Sequence, residues 1–282
     1  MSAQTQSDRY LLNNGDVVNK IKIFFKECTH HARPFETTQD IRGNFKDHEI
    51  VVTVHYRVKK HKTYQPEVTL SIGSDEKEFE LYCLFMRIYE MEEGDIVSLG
   101  KDCDNLGIVA QAGNYLLDFV DAIATMFKLK RVGLLDAARY RNVNLSWLRG
   151  LTKGKGWYES RGYVSEHPDE REQWTQSIQA LRSTKLKTMV QAVELALEKE
   201  GPQYLHAGYS LFLELASEFM QHTTDEDFGT FIAWLAHDGG GRWGDLEYLY
   251  GAVFRNGLWA DGTFPIAKPP PKLFKTFRPL EL

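Results

Sequence analysis

Residues 113–163 constrain this chain most, because their apolar periodicity switches from helical to strand-like and back. From Gly113 to Ala124, Leu116, Leu117, Val120, Ile123 and Ala124 recur at the spacing of one helical face. Val132-Gly133-Leu134-Leu135 follows, an apolar run the length of a buried strand, ended by Asp136. Asn144 offers an N-cap for a second helix through Leu145, Trp147, Leu148 and Leu151. Lys153-Gly154-Lys155-Gly156 should end that helix before Trp157. A glycine opening a helix after a strand also suits phosphate binding, through backbone N–H groups and the positive helix end.

Strand signals dominate the preceding part of the chain. Asn19 to Lys26 alternates Ile21, Ile23 and Phe25 with Lys20, Lys22 and Lys26, which predicts a half-buried strand. Met1 to Asn19 reads as an arm with a short helix or none. Asp47 to Val58 is the clearest strand, with Ile50, Val52, Val54, Tyr56 and Val58 on one face. Val68, Leu70 and Ile72 mark its partner, closed by the turn Gly73-Ser74-Asp75. Phe79 to Tyr89 becomes apolar on both faces, as a central strand does. Ile96 to Leu99 is a short strand, and Lys101 to Gly107 a polar loop.

The C-terminal part changes character at Pro168, a residue tolerated in a first helical turn. Helices are predicted over 169–181, 186–197 and 204–220, with two more over 228–236 and 245–254. Trp234, Trp243, Tyr248, Tyr250, Phe254 and Trp259 read as core or interface aromatics. Pro265 to Leu282, with Pro269-Pro270-Pro271, is extended and cannot build a core of its own.

Trp157-Tyr158-Glu159-Ser160-Arg161-Gly162-Tyr163 carries a resemblance. It resembles the Phe-Tyr-Glu-x-x-Gly-Phe pattern of the GNAT acetyltransferase superfamily, matching at Trp157, Tyr158, Glu159, Gly162 and Tyr163. Gly113-x-x-Leu116-Leu117 is similar to the end of that family's phosphate-loop motif. The resemblance covers 79–164. It departs at the loop: Ile108 stands where the family has a basic or amide residue, and Gln111 where it has its first glycine. The link 137–155 is longer than the family's.

The resemblance implies an α+β fold, a mostly antiparallel twisted sheet with flanking helices, here with a helical C-terminal extension. The chain then divides into an N-terminal arm (1–18), a GNAT-like domain (19–165), a helical domain or extension (166–264) and a Pro-rich tail (265–282). It also implies an N-acetyltransferase using acetyl-CoA as cosubstrate, with direct attack of an amine acceptor on the thioester. Tyr158 would be the general acid for the leaving thiolate. Glu90, Glu92 or Glu93 would serve the attacking amine, Glu90 being the first choice. Leu99 and the backbone beyond it would polarise the thioester carbonyl. Gln111, Gly113, Asn114 and Tyr115 would line the pyrophosphate. The alternative is a catalytically silent GNAT-like domain, a structural or interaction component of a large assembly such as a virion or scaffold.

Other features bound the function. A net charge of −5 disfavours nucleic acid as partner. No apolar run reaches the roughly 20 residues of a membrane span. The polar start Met1 to Asp8 lacks a signal-peptide core, and Cys28, Cys83 and Cys103 form no disulfide framework or zinc spacing. The expectation is a cytoplasmic or otherwise intracellular protein with no metal, and protein partners through the C-terminal helices and tail. Three motifs admit two readings each. Cys28-Thr29-His30-His31 is a metal site or a solvated loop. Lys59-Lys60-His61-Lys62 is a contact for CoA phosphates or an acidic partner, or a solvated hairpin tip. His237-Asp238-Gly239-Gly240-Gly241-Arg242-Trp243 is an anion-holding loop or a turn between helices.

Overall fold

A computed structural model of the chain describes residues 16–30, 35–60, 64–72, 84–89, 92–99, 112–135, 139–140, 143–198, 203–221, 226–237, 242–258 and 272–277. These residues form a mixed α+β architecture of eight α-helices and ten strands, eight of the strands in one mostly antiparallel sheet. Among them no helix is long and apolar enough to cross a membrane. The chain splits into two compact units, residues 1–135 with 274–282, and residues 136–273. Asp136–Tyr163, which the resemblance joins to the sheet, therefore groups with the C-terminal helices.

The first unit begins with helix α1 (Asp16–Cys28), where alternation predicted a strand. That expectation is corrected by burial. Val17, Val18, Ile21, Phe24, Phe25 and Cys28 are buried, while Ile23 is 60% exposed. Those six positions follow a period of 3.6, and the alternation of 21, 23 and 25 was a short window cut from it.

Strands β1 (Phe35–Phe45), β2 (His48–Lys60), β3 (Tyr64–Ile72), β4 (Leu84–Tyr89) and β5 (Glu93–Leu99) form an antiparallel meander. The buried face of β2 is the one the sequence indicated, with Ile50, Val52, Val54, Tyr56 and Val58 all buried. β1 went unrecognised, because as an edge strand it buries only Ile41, Gly43 and Phe45. Helix α2 (Ala112–Met126) connects β5 to β6 (Arg131–Leu135), which lies parallel to β5. Leu116, Leu117, Val120, Ile123 and Ala124 are fully buried, as their spacing required. Within the expected strand 79–89, residues 79–83 lie outside the described residues.

The tail forms strand β10 (Lys272–Thr276), next to β6 in the sheet. Being too short for a core of its own, it joins an existing one. Lys275 Nζ reaches Asp121 of α2 at 2.6 Å, and the Phe277 amide donates to the Lys130 carbonyl at 3.0 Å.

The second unit opens with the two-residue strands β7 (Arg139–Tyr140) and β8 (Val143–Asn144), then α3 (Leu145–Lys153). Asn144 caps α3 as expected, its Oδ1 accepting from the Trp147 amide at 3.0 Å. Gly154 ends it in the left-handed region at φ 76°. A 3₁₀ turn (Glu159–Arg161) and β9 (Val164–Ser165) follow. Helices α4 (Pro168–Ser183), α5 (Leu186–Leu197), α6 (Gln203–Met220), α7 (Phe228–Leu235) and α8 (Trp243–Leu249) then run into a π-helical segment (Tyr250–Leu258). An aromatic core joins them. Phe231 packs edge-on against Phe212 at 5.5 Å and Phe219 at 5.6 Å. Phe254 packs on Phe228 at 5.3 Å and Trp147 at 5.7 Å.

Candidate functional site

The candidate site lies at the C-terminal end of β5. Among the described residues, pairing of β5 with β6 runs from Glu93↔Arg131 to Ile96↔Leu134. β5 continues to Leu99 against β4, and here its register shifts. Ile96 opposes Met86 and Ser98 opposes Phe85, so Val97 is an extra residue with no counterpart in β4. A bulge of this kind takes one residue out of the ladder and re-aims its backbone groups. Val97 is 55% exposed and Leu135, at the end of the parallel neighbour, 67%. The outer ends of parallel strands, beside the helix that connects them, are where open sheets with such crossovers hold ligands.

The residues anticipated for this site fall out as follows. Leu99 ends β5 and is half-buried. Gly113 and Asn114 are half-buried in the first turn of α2. Glu90 and Gln111 lie outside the described residues. Tyr115 also belongs to the first turn, but its side chain is occupied elsewhere. Its hydroxyl donates to the Phe45 carbonyl at 2.8 Å, and its ring meets Phe45 and His48 edge-on. Burial, then the nearby Asp47 charge, pushes this phenol above its usual range. Tyr115 pins the β1–β2 turn to α2, beside the Lys46–Asp118 ion pair.

Glu92 and Glu93 sit at the other end of β5. Glu92 Oε2 accepts from Lys130 Nζ at 2.6 Å, and Glu93 takes Arg131 side-on at 2.9 and 3.0 Å. A seven-residue strand rising about 3.3 Å per residue puts Glu93 about 20 Å from Leu99. Neither carboxylate is within reach of chemistry at Leu99. Nothing in the sequence signalled Val97, because a bulge is defined by the register of two strands.

Tyr158 belongs to the second unit, in the turn that carries the Tyr-Glu-x-x-Gly motif. Each motif residue there has a packing or turn-forming role. Glu159 Oε2 accepts from the Gly156 amide at 3.0 Å, and its other oxygen lies 3.4 Å from Arg171 Nε. Gly162 sits at φ 88°. Tyr163 is fully buried and donates its amide to the Tyr158 carbonyl at 3.1 Å. Tyr158 is buried between Trp157 at 4.7 Å and Tyr163 at 6.1 Å. Gly162→Ala is expected to cost about 1–2 kcal/mol, the steric penalty of a side chain in the left-handed region. An unchanged urea midpoint would show that the turn tolerates a Cβ.

Two other motifs are described in part. Cys28 is buried in α1, where burial, then Glu27, pushes its thiol up. Among the described residues no group of three or more His, Cys, Asp or Glu could hold a metal. Arg242 makes a two-pronged ion pair with Glu218 at 2.5 and 2.9 Å and lies 4.2 Å over the Trp234 ring. It clamps α6 to α7 and the start of α8. Residues 238–241 lie outside the described residues, as does His61 with Lys62.

No protein-family model, curated protein or solved structure matches the chain.

Proposed function

We propose that the chain is an N-acetyltransferase-like protein that transfers an acetyl group from acetyl-CoA to an amine by direct attack. The observation that carries this reading is the order of elements around β5. An antiparallel meander ends in a bulged strand, and helix α2 leads to a parallel neighbour whose described pairing stops at the bulge. This strand, helix and parallel strand follow in the order that the sequence resemblance implies. In the proposal, backbone N–H groups at Val97–Leu99 and beyond face the thioester oxygen, which gains charge as the amine attacks. The start of α2 at Gly113 and Asn114 faces the pyrophosphate with its unpaired amides and positive end. The resemblance assigns protonation of the departing thiolate to Tyr158. Its first choice of base, Glu90, follows Tyr89, which pairs with Glu93 at the end of β5 away from Leu99, so no base is assigned.

A second reading is favoured by the motif turn itself. Tyr158 is buried, and Glu159 and Gly162 have full structural explanations. A domain kept for its surface would retain that turn without any chemistry, and fold alone does not decide activity.

Isothermal calorimetry with acetyl-CoA on the full chain separates the two. The acetyltransferase reading expects micromolar binding, lost with Gly113→Trp and kept with Tyr158→Phe, which would lower only the transfer rate. No heat at millimolar acetyl-CoA would overturn it and leave the silent domain.

A further inference from the structure

We propose that the outer edge of β1 is a self-association site, where two copies of this chain pair β1 with β1 in antiparallel fashion into one continuous sheet. β1 is the first strand of the sheet order, and among the described residues its only strand neighbour is β2. Its eleven residues pair with β2 from Phe35↔Val58 to Phe45↔His48 without a register shift. It contains no proline. A long, regular edge of this kind is a template for another strand, and proteins that stay monomeric usually blunt it.

The direction of its backbone groups follows from the turn. Phe45 and His48 flank a two-residue hairpin loop, so they exchange backbone bonds, and the odd-numbered residues of β1 face β2. Glu36, Thr38, Asp40, Arg42 and Asn44 then turn their N–H and C=O groups outward. Their side chains are all exposed. Lys20 Nζ reaches the Arg42 carbonyl from α1 at 3.0 Å, consistent with that carbonyl pointing out. Among the described residues no backbone group of another element bonds to this edge. A carbonyl has a second lone pair, so Lys20 does not close the position.

Charge favours a second copy as the occupant and narrows the register. With Gln39 on the two-fold axis, Glu36 of each copy lies opposite Arg42 of the other, and Thr38 lies opposite Asp40. All four are outward-facing, so these become the hydrogen-bonded pairs of the new ladder. Gln39 meets its own counterpart, where two amides can bond to each other. Moving the axis to Asp40 would set two aspartates face to face, and moving it to Thr38 would set Glu36 against Asp40. Both registers are opposed by like charge. An axis at Ile41 would set Asp40 against Arg42, and exchanging Glu36 with Arg42 distinguishes it from the axis at Gln39. A two-fold interface must be self-complementary, and this strand is. Glu36 also contacts His55 at 2.9 Å and Arg57 at 3.8 Å within its own chain, so its carboxylate is already held on the face that Arg42 would meet.

Sedimentation equilibrium of the full chain over a concentration series tests this, with thermal melts to show that each variant is folded. The expected result is a concentration-dependent dimer. Arg42→Glu and Glu36→Arg should each weaken it about tenfold or more, since each sets like charges opposite twice. The double variant Glu36→Arg/Arg42→Glu should regain the wild-type dissociation constant. Thr38→Pro removes only an outward N–H and should leave a folded monomer. A monomer at every concentration overturns the proposal. So does a dimer that survives Thr38→Pro, or a double variant no tighter than the singles.

Discussion

Phe231→Ala is expected to cost about 3–5 kcal/mol of unfolding free energy, the range for deleting a fully buried aromatic side chain. Phe231 is 0% exposed. Its ring touches Phe212, Phe219 and Phe228, and stacks on Trp234 at 5.9 Å. These contacts join α6 to α7, so the cavity would open between two helices rather than at a yielding surface. Edge-to-face pairs add about 0.5–1.5 kcal/mol each beyond area, which puts the expectation toward the upper end. All six tryptophans lie in residues 136–273. Urea unfolding followed by tryptophan fluorescence therefore reads this unit directly. Phe231→Leu, which keeps most of the volume, should recover more than half of the loss. A midpoint within about 0.5 kcal/mol of wild type for Phe231→Ala would mean that the aromatic cluster does not hold the helices together.

Gly43→Ala is the second large expectation, and it acts by intrusion rather than by a cavity. A Cβ on Gly43 would stand 2.9 Å from the Val17 amide nitrogen and 3.0 Å from its Cα, both backbone atoms of α1. It would also lie 3.1 Å from Asp16 Oδ2. A side-chain tip could swing aside, but the first turn of a helix cannot move without shifting Val17, Val18 and Ile21 in the core. Overpacking of this kind costs about 1–3 kcal/mol, and Gly43→Val should cost more than Gly43→Ala. Chemical unfolding followed by circular dichroism, which senses both α1 and the sheet, is the measurement. Equal stability of wild type and Gly43→Val would show that α1 does not need the close approach.

The two expectations rest on different kinds of information. Phe228, Phe231 and Leu235 could be placed on a buried helical face from spacing alone. The role of Gly43 could not, since a single glycine in a polar strand carries no periodic signal. The same division runs through the candidate site. Gly113 and Asn114 open a helix where the pattern put one. Glu93, a candidate base in the sequence, is held by Arg131 about 20 Å along the strand from Leu99. That separation follows from strand direction and partner, neither of which is written in Glu93 or its neighbours.

By itself the sequence determined the elements whose burial pattern is strong and local. These are the inward face of β2, the whole of α2, the capped start and glycine end of α3, and the run of helices from Pro168. In each, one face must leave water, and hydrophobic spacing shows which. The helix 16–28 was also written in the sequence, in a 3.6 period longer than the window that suggested a strand. Tertiary structure alone decided that the polar stretch 35–45 is an edge strand and that Val97 is a bulge. It also decided that the division between compact units follows Leu135. The physical reason is common to all three. Each depends on what lies across a sheet or against a face, and pairing partners distant in the chain leave no period in either partner.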